Sequence, residues 1–362
     1  MRRAKNKPRQ GGHTKWWLGL NLFAIAILLL TYITPWISVN RWGWLSLLAL
    51  AYPFTLFVNI LFVFGWFFFK NRFALLSLLA LAVGWKHHGE YIQLFPGGKS
   101  DECVESIRIL SYNLRGLSLF PGGPKTPASE RIDTLYESLA AHKEFPDILC
   151  LQEATYGDLI AKRFEMEHIV HVPRSTLWLI SRYPIVAEGN IEGSTGSPCA
   201  IWADIKSPQG TFRVINIHLT SNRVSATTQE LMQEMTQPSE QVWKNLRFIL
   251  SRYKATTRKR AREARVLREF VLSSSHPVIL AGDANDPPLS NVFSILSGDM
   301  HNSFTRRGAG LSTTYDGPLP LLRIDYIFGD RQIDFKDHQT YPLSLSDHFP
   351  VAAGFCLKQG QE

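Results

Sequence analysis

Two kinds of hydrophobic pattern divide this chain. From Trp16 to Ile33 and from Trp42 to Phe69 no charge interrupts the apolar sequence, and each run is long enough to cross about 30 Å of hydrocarbon as a helix. The pattern predicts transmembrane helices over about 16–34 and 42–69. A third stretch, 73–88, is a further candidate that is apolar only as far as Trp85. Tryptophans cluster near the proposed ends, Trp16, Trp36, Trp42, Trp66 and Trp85 among them, where amphipathic rings favour the membrane interface. A cleaved signal peptide is the weaker reading of the first run, because no small-residue cleavage site follows it and a second apolar helix comes almost at once.

After the turn-rich, polar linker at 96–102 the period changes. Short apolar or alternating runs predict strands at Ser106–Tyr112, Ile148–Leu151, Leu177–Ser181, Ala200–Ile205, Phe212–Leu219, Val278–Ala281, Ile324–Phe328 and Val351–Phe355. Helical spacing is clear at 129–142, through Ile132, Leu135 and Leu139. Many short strands with few helices between them indicate two packed sheets with helices outside, over a domain spanning 103–358. A polar insertion at about 222–257 shows no strand pattern. It leads into the basic stretch Arg258-Lys259-Arg260-Ala261-Arg262, where Ala261, Ala264, Leu267 and Val271 form an apolar stripe. That stripe predicts an amphipathic helix packed on a sheet, in preference to a phosphate-binding or lipid-binding surface.

Charge sharpens the division. Residues 1–99 contain eleven Lys or Arg and one acid, Glu90, whereas the remainder carries 28 basic and 30 acidic residues. The net charge of +8 therefore belongs to the apolar part, which weakens a nucleic-acid reading of the domain. Arg2, Arg3, Lys5, Lys7, Arg9 and Lys15 precede the first run, placing the N-terminus in the cytoplasm by the positive-inside rule. If 73–88 spans, the domain lies outside the cytoplasmic membrane; if it does not, the domain lies inside. The cysteines Cys103, Cys150, Cys199 and Cys356 show no metal-ligand spacing, and buried free thiols are expected in preference to a disulfide.

Polar residues that end apolar strands carry the chemistry. The segments Ser111-Tyr112-Asn113, Leu151-Gln152-Glu153, Asn216-Ile217-His218-Leu219, Gly282-Asp283-Ala284-Asn285, Arg323-Ile324-Asp325-Tyr326 and Ser346-Asp347-His348 occur in this order. Taken singly, each has an ordinary turn or cap reading. Together they resemble the endonuclease/exonuclease/phosphatase superfamily over Ile107–Phe355, in the manner of membrane-anchored bacterial members. The resemblance implies a four-layered α/β sandwich, two mixed sheets flanked by helices, preceded here by two or three transmembrane helices.

It also implies a divalent-metal-dependent phosphoesterase. Glu153, Asn113 and Asp347 would hold Mg²⁺, with Mn²⁺ as the alternative, since hard cations favour oxygen ligands. Asp283 would orient or deprotonate the attacking water, and Asn285 and His218 would contact the phosphate. His348 would face the scissile phosphate with Asp325 fixing its tautomer. Arg115 stands where the apurinic-endonuclease branch usually has an acid, which lowers the expectation of abasic-site repair. The expected substrate is a phospholipid head group or small phosphodiester near the bilayer. The rivals are a membrane-tethered nuclease contacting nucleic acid through Arg258–Arg265, and a catalytically inactive scaffold. Retention of every expected polar residue speaks against the scaffold, because buried unpaired carboxylates serve no packing purpose.

Overall fold

The computed structural model describes residues 11–69, 72–95, 97, 103, 105–120, 123–142, 145–173, 175–194, 196–221, 240–317 and 321–358. The basic residues from Arg2 to Arg9, Lys70, nearly all of the linker, and 222–239 of the insertion lie outside them.

Three apolar helices form the N-terminal part: α1 (Gly11–Tyr32), α2 (Leu47–Phe68) and α3 (Ala74–Val83). By length and composition α1 and α2 are candidate membrane spans. The third helix is shorter than the apolar run promised. Its ten residues rise about 15 Å, roughly half of the hydrocarbon thickness. The break falls at Gly84, where an added Cβ would lie 2.1 Å from the Tyr32 ring, and a single turn, Trp85–His88, follows. Buried polar contacts join the helices: Asn21 donates to Ser77 Oγ at 2.7 Å and accepts from Trp66 Nε1 at 2.9 Å. His87 stacks on Tyr32 and His88 on Tyr52. The chain thus returns to the bundle end that also carries the 33–46 connection.

The strands of the second part are β1 (Ile107–Asn113), β2 (Ile148–Gln152), β3 (His168–His171), β4 (Trp178–Ser181), β5 (Ile185–Glu192) and β6 (Pro198–Ser207). They continue with β7 (Gly210–His218), β8 (Val278–Asp283), β9 (Asp325–Gly329), β10 (Ile333–Phe335) and β11 (Val351–Leu357). One sheet has the order β10-β11-β1-β2-β4-β3, and the other runs His301–Asn302, β9, β8, β7, β6, β5. Both are mixed, with β1–β2 and β7–β8 the parallel pairs.

Side-chain alternation explains the continuous apolar runs. Ile148 and Cys150 of β2, and Ile279 and Ala281 of β8, fill the core between the sheets. Leu149 and Leu151 face an outer layer that includes Ile132, Leu135 and Leu139 of α4 (Ala128–Ala140). Val278 and Leu280 pack under α5 (Glu240–Leu272), whose Ala261, Ala264, Leu267 and Val271 are buried there as the stripe predicts. Strands buried on both faces need no alternation in the sequence. The result is the expected four-layered sandwich.

The two parts are packed against each other. Thr34 Oγ1 donates to Leu289 O at 2.6 Å, Tyr91 OH to Pro288 O at 3.0 Å and Asn291 Nδ2 to Pro35 O at 2.9 Å. Arg258 donates to Asn40 O at 2.6 Å.

One expectation is corrected. Cys103 and Cys356 form a disulfide, while Cys150 and Cys199 are the buried free thiols. Antiparallel pairing of β11 with β1 brings the last strand beside the start of the domain, so two cysteines 253 residues apart become neighbours. Alkylation of the denatured, unreduced protein is expected to label Cys150 and Cys199 alone, and reduction should expose the other two. Labelling of all four without reductant would contradict the pairing.

Candidate active site

Strand ends from both sheets converge on one carboxylate oxygen, Asp283 Oδ2. Asn113, at the end of β1, and Asn285 each donate Nδ2 to it at 3.1 Å. His218 Nε2, at the end of β7, lies 3.7 Å away and His348 Nε2 lies 3.8 Å away. Four nitrogens thus surround one oxygen. Asp283 Oδ1 accepts the Asn285 backbone N–H at 2.8 Å, so both oxygens of this buried carboxylate are engaged.

Local backbone geometry explains the aim of these side chains. Gly282 has φ +140°, and a Cβ there would come within 2.1 Å of Ile217 O, so only glycine lets β8 approach β7 just before Asp283. Glu153 and Asn285 adopt φ +48° and +52°, the left-handed region that turns each side chain back toward the strand ends. For a residue other than glycine this costs roughly 1–2 kcal/mol, and such strain concentrates at functional sites.

The His348 imidazole is held between two acids. Its Nδ1 lies 3.0 Å from Asp325 Oδ2, while antiparallel pairing puts Asp325 directly opposite Asp283. Burial works against the imidazolium, but the carboxylates of Asp325 and Asp283 outweigh it and raise the His348 pKa. Burial likewise raises Asp325, against the pull of His348. One proton is shared, and an imidazole facing two carboxylates is its better holder at neutral pH. The Thr314 hydroxyl accepts the Ile324 and Asp325 backbone N–H groups at 3.0 and 3.1 Å, and the Tyr315 ring lies edge-on to His348.

Glu153 sits at the mouth, with 40% of its side chain exposed. Its Oε1 is 3.5 Å from Asn113 Nδ2 and 3.6 Å from His218 Nε2, and that buried nitrogen has no hydrogen-bond partner among the described residues. Asp347 is placed differently: its Oδ2 accepts from Arg115 Nη1 at 2.8 Å. Seven of the eight expected residues therefore share one contact network, with Asp347 at its edge through Ser346, whose hydroxyl donates to Asn113 O at 2.7 Å.

Among the described residues, two sets within this site could hold a cation. Asp283, Asp325 and His348 bring ligand atoms within 4.8 Å of one another, but all three are buried and already hydrogen-bonded. Glu153 with Asn113 fits a hard divalent ion better, because the Glu153 side chain is part-exposed and such ions retain several waters.

The motifs contained further residues whose roles the sequence did not disclose. Gln152 Nε2 donates to Asn216 Oδ1 at 2.7 Å, and Asn216 Nδ2 donates to Leu151 O and Trp178 O. This buried amide pair ties the sheets together directly beneath the site. Behind it, Arg260 and Asp286 form a fully buried ion pair at 2.7 Å, and Arg260 also donates to Thr220 O. Glu263 accepts from the Thr220 hydroxyl at 2.7 Å and from its backbone N–H. Helix α5 therefore fixes the segments that follow His218 and Asn285.

A model described as the Endonuclease/Exonuclease/phosphatase family matches residues 110–348. A second, described as a domain of unknown function (DUF8431), matches residues 14–91. No curated protein matches the chain. Among solved structures, an endonuclease/exonuclease/phosphatase family protein from Bacteroides thetaiotaomicron is 17% identical, covering 70% of this chain and 99% of that one with a TM-score of 0.50. The mannosyl-6-phosphatase of Bacteroides thetaiotaomicron VPI-5482 is 16% identical over 70% of this chain and 100% of its own, TM-score 0.47. The catalytic domain of human Nocturnin, solved with bound sulfate, is 17% identical over 70% and 94%, TM-score 0.46. At these identities the likeness concerns the fold.

The charge arrangement makes a direct prediction. Followed by nitrogen-15 NMR, His348 is expected to stay protonated as pH rises through about 6.5, where free imidazole loses its proton. Because the folded pKa is raised, the stability this proton contributes is complete below that value and is lost at higher pH. In Asp325→Asn, burial remains with only one facing acid, and the ring should lose its proton at lower pH. A normal His348 titration in the parent protein would contradict the arrangement.

Proposed function

This chain belongs to the endonuclease/exonuclease/phosphatase family, and from that premise we propose a membrane-anchored, divalent-metal-dependent phosphoesterase acting on phosphate esters at the bilayer surface. At the coarser level it is a phosphoric ester hydrolase, as the family's nucleases and phosphatases are. The observation that carries the reading is the ring of four nitrogens around Asp283 Oδ2. A base at the centre of hydrogen-bond donors suits a reaction in which water attacks an anionic phosphoryl group.

In this reading Asp283 orients the attacking water and accepts its proton. Asn285, His218 and protonated His348 donate to the phosphoryl oxygens, where negative charge develops. Asp325 holds the His348 tautomer and stabilises its charge. Glu153 and Asn113 would hold Mg²⁺, with Asp347, which is paired to Arg115 here, as the further candidate ligand. Bound there, the ion would polarise the phosphoryl oxygens and neutralise charge in the transition state.

Two observations favour an ester near the membrane over nucleic acid. The anchor docks at the catalytic end of the sandwich, since its partners Pro288, Leu289 and Asn291 follow Asp283 by five to eight positions. In addition, two of the five basic residues of Arg258–Arg265 are committed to structure: Arg260 is buried on Asp286, and Arg258 caps the anchor's 39–40 carbonyls. We place the domain outside the cytoplasmic membrane. The chain leaves the helical bundle at the end opposite Lys15 and Arg72, and a disulfide in the domain fits an oxidising compartment.

The test is turnover by the full-length protein in lipid nanodiscs with Mg²⁺, offered phospholipids, inositol phosphates, bis-p-nitrophenyl phosphate and plasmid DNA. Hydrolysis of phospholipid or small diester is expected, falling about 10²–10⁴-fold in Asp283→Asn or His348→Ala. Preferred degradation of DNA with steep loss on adding salt would instead establish the nuclease. A periplasmic phosphatase reporter fused after Glu362 should be active, and an inactive one would reverse the assigned side.

A further inference from the structure

Glu90, the lone acid of the N-terminal quarter, is spent on a contact that no membrane tether requires. Its Oε2 accepts from Arg323 Nη2 at 3.4 Å and from Asn302 Nδ2 at 3.0 Å. Arg323 is buried, with its guanidinium over the rings of Phe304 and Tyr326. Its Nε and Nη1 lack hydrogen-bond partners among the described residues, so Glu90 is the anion that answers its charge there.

Arg323 begins the segment that becomes β9. Two residues on is Asp325, the partner of His348, and between them Ile324 O accepts the Ala284 N–H at 2.9 Å. Ala284 lies between Asp283 and Asn285. Tyr326 OH bridges the same two segments, 2.8 Å from Arg323 O and 2.9 Å from Asp286 O. The neighbouring anchor residue grips the other side: Tyr91 OH lies 3.0 Å from Pro288 O and 3.3 Å from Ala49 O at the start of α2. Glu90 and Tyr91 close the stretch that matches as a unit over residues 14–91. Displacement of either would be passed to both acids of the Asp283–Asp325 pair through a few hydrogen bonds.

We propose that Glu90 and Tyr91 are positioning residues for the hydrolytic centre, so that the end of the membrane anchor sets the geometry of the loops carrying Asp283, Asn285 and Asp325. The proposal rests on the phosphoesterase reading and assigns the anchor a second role besides attachment. A domain on a flexible tether would lose only its location when the anchor contact is weakened. A clamped domain loses alignment, and a misplacement of about 1 Å can lower a rate about a hundredfold.

The experiment uses full-length protein in nanodiscs and the soluble diester bis-p-nitrophenyl phosphate, which needs no delivery from the bilayer. In Glu90→Ala and Tyr91→Phe, kcat should fall about ten- to a hundredfold with KM nearly unchanged, the signature of interactions lost in the transition state. Glu90→Gln, which keeps an acceptor for Arg323 and Asn302 but not the charge, should recover only part of the rate. Full kcat in Glu90→Ala and Tyr91→Phe, with only a lowered Tm, would overturn the proposal and leave the contact as simple docking. A wild-type protein that hydrolyses no ester would instead fail the functional reading. The clamp is then judged by the downfield NMR signal of the His348 Nδ1 proton, absent in His348→Ala: its shift in Glu90→Ala supports the clamp, and an unmoved signal overturns it.

Discussion

The hydrogen bond from Asn113 to Asp283, 3.1 Å long, spans the two sheets, and the site depends on it. Asn113 ends a strand of one sheet and Asp283 a strand of the other, so their contact fixes how the sandwich closes at this end. Gln152 and Asn216 repeat the arrangement one layer deeper. Apolar packing between the sheets is non-directional and tolerates sliding. Buried amides and carboxylates do not, because a displaced partner leaves a polar group unsatisfied, at about 1–3 kcal/mol. Polar contacts therefore set the register that apolar burial leaves loose.

The same end concentrates negative charge, with Asp283 and Asp325 buried opposite each other on neighbouring strands. Such a pair is tolerable only with donors and a cation nearby. Asn113, Asn285 and protonated His348 supply them from within the chain. The compensation is arranged asymmetrically: Asp325 has the imidazole at 3.0 Å, whereas Asp283 has mainly neutral amides. This difference in environment suits two identical side chains to the separate roles of orienter and base proposed for them.

The strand pattern and the ordered strand-end residues were legible in the sequence because β-strands place polar ends on a common rim. The stripe through Ala261, Ala264, Leu267 and Val271 was legible for the same local reason. Partners distant in sequence were not. Cys103 meets Cys356 only because β11 runs back alongside β1, and the local run around Cys150 gave no hint of it. Arg260 stood out in the sequence only as part of a basic stretch on an amphipathic helix, yet it is buried on Asp286. Glu90 showed itself only in the charge count, since its partner Arg323 is 233 residues away. The break at Gly84 follows from the ring of Tyr32, a neighbour across the bundle. In each case the deciding atom belongs to another element.

The N-terminal helices and the sandwich share hydrogen bonds beside the candidate site, so the two parts form one folded unit. In the proposed mechanism the cluster around Asp283 Oδ2 directs water to phosphorus. Its most direct test is hydrolysis of a phosphate ester by the full-length protein with Mg²⁺ in oxygen-18-labelled water, read by mass spectrometry of both products. One labelled oxygen is expected in the phosphoryl product, none in the leaving alcohol, and the reaction should be lost in Asp283→Asn. Label in the alcohol, or undiminished turnover in the variant, would contradict it.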